Sequence, residues 1–277
     1  MRIFLILVLI FTSSLVFAEN KYSWIDNNEI KRRVIDIEAP KGFKRLKVKK
    51  GSFADWLRHL PLKEKSAKVY LHNGKLKFKQ FVHHSVLDID IGKRDLQQCA
   101  DAVMRLRAEY FYSKKHYKNI SFKFTSGDKY SFNNWINGKY PVIKKKKLAW
   151  KMITKKSRSY KSFRKYMDMI FIYSGTFSLN RDSKKVKLKN LKIGDFFIKG
   201  GFPGHAVIVL DMLINDKGEK LYLVAQSYMP AQNIHILKNF NNEKLSPWYK
   251  LNKKSDLEIV DIITPEWTFT SEQVHRF

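Results

Sequence analysis

Residues 194–211 read Gly-Asp-Phe-Phe-Ile-Lys-Gly-Gly-Phe-Pro-Gly-His-Ala-Val-Ile-Val-Leu-Asp, and this stretch decides the fold. It predicts a Gly-Asp turn, a short strand, a Gly/Pro loop and a longer apolar strand that opens on His205. Residues 215–218, Asn-Asp-Lys-Gly, then predict a hairpin loop. The apolar run 221–228 should therefore pair antiparallel with the strand that begins at His205.

The best-defined helix of the sequence follows Asp95, which we expect to be its N-cap. From Leu96 to Tyr110, apolar residues recur at steps of three and four, which is typical of one face of an amphipathic helix. Cys99 lies on that face and in the first turn. Inward-facing cysteines are commonly inert, whereas the dipole and free N–H groups of a first turn lower the pKa of a thiol. Both interpretations of Cys99 remain open.

Two segments precede the expected folded domain. Residues 1–18 contain Arg2 followed by an apolar run that ends in Val-Phe-Ala. This pattern predicts a secretory signal peptide that is cleaved near Ala18. The run is shorter than the roughly 20 residues that span a bilayer, so no transmembrane anchor is expected. Residues 19–50 are polar and basic and predict a weakly structured N-terminal segment. Residues 51–277 are expected to form a single α+β domain that is secreted or periplasmic.

Other elements are predicted from local signals. Ser52, with an acidic residue three positions later, predicts a capped helix over 53–60. Residues 120–124 predict a strand, and the apolar spacing after residue 159 predicts a second long helix that ends near residue 174. The lysine-rich residues 139–158 are interpreted as a loop.

The charge and cysteine content narrow the classes of partner. The net charge is +29, and only 12 of the 54 basic residues are arginine. Arginine is better suited than lysine to bidentate contacts with phosphates and bases. We therefore expect attraction to an anionic cell-envelope polymer, such as peptidoglycan or another anionic glycan, rather than specific binding of nucleic acid.

One cysteine cannot form an internal disulfide. The oligomeric state is left open.

A cluster of potential metal ligands precedes the Cys99 helix. His83 and His84 stand just before Asp88 and Asp90. Their spacing matches no closed zinc or calcium pattern. We therefore expect neither a metal nor a cofactor.

The order of the chemistry-bearing residues is that of a cysteine hydrolase. Cys99 at a helix start would be the nucleophile, and His205 at a strand start would be the general base and acid. Gln226 on the neighbouring strand would orient the imidazole. Ser227 and Asp211 compete with Gln226 for this third role.

Three further residues are candidates for contact with substrate. Gln98, Ser227 and Tyr228 lie beside the expected catalytic residues, and Gln98 or the Cys99 N–H could contact an oxyanion. The function expected is cleavage of an amide or ester bond in peptidoglycan or a related envelope substrate. The alternative is a non-catalytic envelope or carbohydrate-binding protein on the same fold, with Cys99 buried.

Residues 194–198 and the segment Pro-Gly-His-Ala-Val-Ile-Val at 203–209, with Cys99 upstream, resemble papain-like bacterial cell-wall hydrolases of the NlpC type. The resemblance implies a papain-like α+β fold. In it, a helix bearing Cys99 packs on an antiparallel sheet bearing His205, with N-terminal and inserted elaborations. It also implies that a cysteine–histidine pair cuts amide bonds in peptidoglycan peptides. The Asp-Cys-Ser of that family is here Gln-Cys-Ala.

A second resemblance runs over most of the chain. Its segments include Asp-Leu-Gln-Gln-Cys-Ala-Asp-Ala-Val, Pro-Gly-His-Ala-Val-Ile-Val, Ala-Gln-Ser-Tyr-Met-Pro-Ala-Gln and Thr-Pro-Glu-Trp-Thr-Phe. These look like the bacterial family called domain of unknown function 4846. That resemblance implies no activity.

Overall fold

An antiparallel sheet of nine strands, with helices packed on one face, forms the centre of the molecule. The computed structural model describes residues 21–145, 147–251 and 258–277. Mixed helices and antiparallel sheets make this an α+β fold, as expected. The predicted signal peptide, residues 1–18, lies outside the described residues.

Five α-helices lie in the described part of the chain. They are α1 Phe53–Arg58, α2 Cys99–Ser113, α3 Phe132–Ile136, α4 Tyr160–Tyr173 and α5 Thr176–Asp182. Serine caps start three of them: the hydroxyls of Ser52, Ser131 and Ser159 each accept the backbone N–H three residues on. These caps reproduce the predicted helix starts at Ser52 and near residue 159.

The predicted N-cap of α2 is wrong. Gln98 is the N-cap residue, and its N–H donates to the Asp101 carboxylate at 3.0 Å. Asp95 instead accepts the N–H of Ala231 at 2.7 Å, so its carboxylate ties the entry of the helix to a distant loop.

Seventeen strands are described, most of them short. They are β1 Arg32–Arg33, β2 Phe43–Arg45, β3 Pro61–Leu62, β4 His83–Val86, β5 Ser121–Lys123, β6 Lys129–Ser131, β7 Lys139–Lys144, β8 Lys147–Met152, β9 Lys184–Lys185, β10 Phe196–Lys199, β11 His205–Asn215, β12 Lys220–Gln226, β13 His235–Leu237, β14 Tyr249–Lys250, β15 Asp261–Ile263, β16 Thr268–Thr270 and β17 Val274–Arg276.

The central sheet has the strand order β4-β13-β12-β11-β10-β17-β9, with β2 paired to β11 and β14 paired to β12. As predicted, β11 pairs antiparallel with β12, and the register places Ile208 opposite Ala225. A bulge interrupts this register between Val209 and Asp211. Alternation then separates two cores: Ala206 and Ile208 belong to the large core that also contains α2, whereas Val209 belongs to the smaller core on the other face.

Two sequence predictions differ from the structure. Strand β2 pairs with β11, so residues 43–45 belong to the central sheet, although a weakly structured segment was expected there. Residues 139–144 and 147–152 form the paired strands β7 and β8 instead of a loop. The lysines of this hairpin concealed its alternation, because a small two-stranded ribbon exposes most of its side chains to water.

Candidate functional site

A cavity of about 570 Å³ opens where α2 and β11 begin and β12 ends. Cys99, His205 and Tyr228 line it, together with Gln98 at the start of α2. The fold thus brings to one cavity two of the predicted catalytic residues and two of the predicted substrate contacts. The long sequence separation between Cys99 and His205 is closed by packing of α2 on β11.

Cys99 is the first residue of α2 and is partly buried. Burial, with a smaller contribution from the Asp101 carboxylate, raises the pKa of the thiol to about 11. The backbone N–H groups of Ala100, Ala206 and Cys99 act in the opposite direction but do not outweigh burial. Of the two interpretations left open by the sequence, the structure therefore favours a neutral thiol at pH 7.

His205 is the first residue of β11, and its side chain is 2% exposed. Its ring packs among aromatic rings, with centroid distances of 4.7 Å to Tyr228, 5.3 Å to Trp267 and 5.8 Å to Phe269. Burial lowers the pKa of the imidazole to about 4, although the Gln226 hydrogen bond raises it. The imidazole is therefore neutral at pH 7 and can accept a proton.

The glycine before His205 has a steric role. A Cβ added to Gly204 would lie 2.4 Å from the carbonyl oxygen of Gly201 and 2.5 Å from Oγ1 of Thr176. Only glycine fits this close approach, which brings the Gly/Pro loop tightly over the start of β11. The loop and His205 together form one wall of the cavity.

Gln226 orients His205 through a hydrogen bond between the two side chains. Its Oε1 accepts from Nε2 of His205 at 2.8 Å, and its Nε2 donates to Oε2 of Glu266 at 2.7 Å. A carboxylate only accepts hydrogen bonds, so the amide nitrogen must face Glu266 and the amide oxygen must face His205. The proton of the neutral imidazole is therefore on Nε2, and Nδ1 carries the free lone pair.

Three residues that sequence reasoning missed complete this network. Lys77 binds Glu266 at 2.8 Å, and both side chains are less than 10% exposed. Nδ1 of His235 donates to the carbonyl of Asn233 at 2.9 Å, which leaves its Nε2 to accept from Gln226 at 3.4 Å. Burial lowers the pKa of His235 to about 3. Lys77 and Glu266 are 189 residues apart, so no local pattern could have joined them.

Cys99 and His205 border the same cavity without bonding to each other. Among the described residues, no hydrogen bond joins the two side chains. By alternation along β11, His205 shares the face of Val207 and Val209, whereas Ala206 faces the core that contains α2. The thiol lies by the N–H of Ala206, one peptide bond from His205. The two side chains thus approach the same peptide from different sides at the open end of the strand.

The other predicted site residues have distinct positions. The Gln98 side chain donates to Asp95 at 3.1 Å, at the cavity wall. The fully buried Ser227 hydroxyl contacts the carbonyl oxygens of Gln97 and Gln232, both at 2.9 Å, which is a structural bond between β12 and the loop before α2. Asp211 pairs with arginines far along β11 and does not line the cavity.

The model of the family described as Domain of unknown function (4846) matches residues 31–276. The chain belongs to this family. The match to family 4846 contains Cys99, His205, Gln226 and Glu266 and covers the whole central sheet. No curated protein and no solved structure is significantly similar to the chain.

The described part of this family 4846 chain contains neither a candidate membrane span nor a candidate metal site. None of its helices combines the length and the apolar character that crossing a bilayer requires. In the same residues, no three His, Cys, Asp or Glu side chains converge as a metal site would need. His84 instead bonds Ser85 at 2.9 Å, and Asp90 pairs with Arg105 at 2.7 Å.

Proposed function

We propose that the chain is a secreted or periplasmic cysteine hydrolase that cleaves an amide or ester bond in peptidoglycan or a related cell-envelope substrate. Cys99 is the nucleophile, His205 the general base and acid, and Gln226 the residue that orients the imidazole. The observation that carries the proposal is the 2.8 Å bond from His205 to Gln226, which leaves Nδ1 as a base in the cavity that Cys99 lines.

The arrangement of elements supports a papain-like description of this proposed site. A helix that starts with the nucleophile packs on an antiparallel sheet whose adjacent strands carry the base and its orienting amide. The N–H groups of a first helical turn have no partner within the helix. Those of Cys99 and Ala100 can therefore stabilise negative charge on sulfur or on a substrate oxyanion.

The chemistry proceeds in two balanced halves. The Cys99 sulfur attacks the substrate carbonyl carbon, its proton moves to Nδ1 of His205, and the carbonyl π electrons move to oxygen. Collapse of this intermediate expels the amine or alcohol, which takes the proton and leaves a thioester. Water then attacks the thioester and gives a proton to Nδ1. The second collapse releases the carboxylic acid, and the departing sulfur recovers that proton.

The pKa values define how this pair works. A thiol with a pKa of about 11 and an imidazole with a pKa of about 4 are both neutral near pH 7. The proton therefore transfers during attack instead of before it. Rotation of the Cys99 side chain about χ1, with His205 held by Gln226, must bring the sulfur to Nδ1 when substrate binds. The acylation rate should not change with pH from roughly pH 5 to pH 10, because the imidazole titrates below this range and the thiol titrates above it.

Acylation of the mature chain by p-nitrophenyl acetate tests the proposal. The acetyl group should appear on Cys99 by peptide mapping. Cys99→Ala should abolish that adduct, and His205→Gln should slow its formation by about 10²- to 10⁴-fold at pH 7. His116→Gln, an exposed histidine outside the cavity, is the matched control and should leave the rate unchanged. Acetylation of lysines alone, equal in wild type and Cys99→Ala, would refute the hydrolase.

A non-catalytic envelope or carbohydrate-binding protein is the second candidate. The high thiol pKa favours it, and so do the exposed apolar side chains at the cavity rim, where Phe202 is 95% and Met229 is 57% exposed. Incubation with purified peptidoglycan separates the two candidates. The hydrolase releases new amino or hydroxyl groups and loses this activity in Cys99→Ala. The binding protein sediments with peptidoglycan equally well in both forms and releases nothing.

A further inference from the structure

We propose that a second cavity, between α4 and the loop of residues 90–96, binds an anionic group, a carboxylate or a phosphate, of the molecule that occupies the Cys99 cavity. The second cavity has a volume of about 630 Å³. Assignment of the anionic group to a substrate rests on the proposed function, but binding of the anion itself does not.

Cations dominate the lining of this anion cavity. Five basic side chains face two carboxylates, those of Asp90 and Asp168. The basic residues are Lys93, Arg94, Lys161, Arg164 and Lys165. Lysine is spread over the whole chain, but arginine is scarce, so two arginines in one cavity are informative. Their planar guanidinium groups suit bidentate contact with a carboxylate or phosphate.

Asp90 neutralises only part of this excess, because it pairs both with Arg164 of the cavity and with Arg105 outside the lining. Its carboxylate pairs with Arg105 at 2.7 Å and with Arg164 at 3.3 Å. Arg105 is fully buried and also pairs with Glu109 at 3.3 Å, whereas the Asp90 side chain is 54% exposed. The other lining cations, Lys93, Arg94, Lys161 and Lys165, face one further carboxylate, that of Asp168, and leave a net positive charge for a ligand.

Arg164 has unused hydrogen-bonding capacity at this wall. Its Nη2 is held by Asp90, whereas its Nη1 is enclosed and has no acceptor among the described residues. A guanidinium donor without a partner is costly in a protein interior. An anion bound at this wall would offer an acceptor to the Arg164 guanidinium, whose Nη1 is otherwise unpaired among the described residues.

The anion cavity adjoins the Cys99 cavity. Leu96 and Phe171 line both of them, so these two side chains are shared walls of the two spaces. Leu96 precedes α2 in the chain, and Phe171 is on the last turns of α4. A substrate with its reacting carbonyl beside Cys99 can therefore extend an acidic group across this ridge. Acidic peptides and phosphate-bearing polymers both have this chemistry.

The test measures binding of small anions to the full mature chain. Inorganic phosphate and sodium acetate are titrated at constant ionic strength, and the dissociation constant is obtained from the NMR signals of the Arg94 and Arg164 side chains. Arg94→Gln/Lys161→Gln should weaken binding at least about tenfold. Lys118→Gln/Lys217→Gln removes the same charge from exposed positions elsewhere and should change binding less than about twofold.

Tighter binding of phosphate than acetate would identify a phosphate group as the ligand, and equal or tighter binding of acetate would identify a carboxylate. Equal weakening in the two double variants would overturn the proposal, because it would show diffuse attraction by surface charge. Absence of saturable binding of both anions would also overturn it.

Failure of this site can be distinguished from failure of the proposed hydrolase. The acetylation assay with p-nitrophenyl acetate uses a neutral ester, so acetylation of Cys99 in the wild-type chain reports on the hydrolase independently of anion binding. If Cys99 is acetylated but no anion binds, the hydrolase stands and the anion site falls. If the anion binds but Cys99 is never acetylated, the anion site stands and its ligand is not a substrate of Cys99.

Discussion

His205 and Asp211 are polar residues on the same strand, β11, and both side chains are almost completely buried. The Asp211 carboxylate pairs with Arg45 at 2.9 Å and with Arg58 at 2.7 Å, and it accepts the N–H of Met212 at 2.8 Å. His205 has one nitrogen in a hydrogen bond to Gln226, and its other nitrogen is free of protein partners in the described part of the chain.

The difference separates a structural polar residue from a reactive one. Every strong acceptor site of Asp211 is occupied by the protein, so the residue holds β2 and α1 onto β11 and has nothing to offer a ligand. His205 is oriented by its bonded nitrogen and keeps a basic lone pair at a cavity. Burial alone does not distinguish the two; the bonding of each polar atom does.

Removing the Asp211 carboxylate is the change with the largest expected effect on stability. Asp211→Asn leaves the charges of Arg45 and Arg58 without their anion at a buried position. Loss of one partner of a buried ion pair costs about 3–5 kcal/mol. We expect a decrease of this size in the free energy of unfolding from urea titration, with the acetylation rate of the folded protein unchanged.

Asp216→Asn is the matched control for this prediction. Asp216 pairs with Lys44 at 3.0 Å, but both side chains are largely exposed, so its loss should alter stability little. If the two variants unfold at the same urea concentration, or if Asp211→Asn loses acetylation while it remains folded, the structural role given to Asp211 is wrong.

The sequence predicted the central elements because local signals specify them. The Gly/Pro loop, the apolar run after His205 and the serine caps at Ser52 and Ser159 each act within a few residues. Their positions therefore carried over to the structure. The helix with Cys99 was also found, although its cap was not, since the carboxylate of Asp95 is used by a loop more than a hundred residues away.

The site was predictable only in part, for the same reason. Gln226 stood out as a polar residue in an apolar strand, and it does bond His205. His235 interrupts the apolar run 234–237 in the same way, but Lys77 and Glu266 lie in segments with no comparable pattern. His235 and Glu266 meet Gln226, and Lys77 meets Glu266, only through the packing of the whole sheet. Contact between Cys99 and His205 depends on whether α2 packs on the face of β11 that carries His205. Alternation along β11 shows which residues share a face, but it does not show on which face α2 packs.

His205 should make the folded protein sensitive to acid. The folded protein binds a proton on His205 only near pH 4, whereas the unfolded chain binds it near 6.5. As the pH falls from 6.5 to 4, protonation therefore favours the unfolded chain, and stability is lost. A shift of this size corresponds to about 3 kcal/mol. Above pH 6.5 the histidine makes no such contribution.

Urea unfolding at pH 7 and pH 4.5 measures this effect. His205→Gln should reduce the difference in unfolding free energy between the two pH values, whatever its effect at pH 7. The part due to His235, whose pKa is also lowered, should remain. His116→Gln should retain the wild-type difference. An unchanged difference in His205→Gln would mean that His205 is not buried as a neutral base.

The smallest expected effect comes from the amide that orients His205. Gln226→Asn is shorter by one methylene and cannot reach both His205 and Glu266. The imidazole should then populate both neutral tautomers, and the acetylation rate should fall about tenfold to a hundredfold, or roughly 1.4–2.7 kcal/mol in the barrier. Nitrogen-15 NMR of the histidine ring reports the tautomer directly. A merely structural role for Gln226 would leave the tautomer of His205 unchanged in the variant. Gln273→Asn, in a surface turn, should leave both signals as in wild type. A single Nε2–H tautomer in Gln226→Asn would show that the aromatic rings around His205, and not the amide, set its orientation.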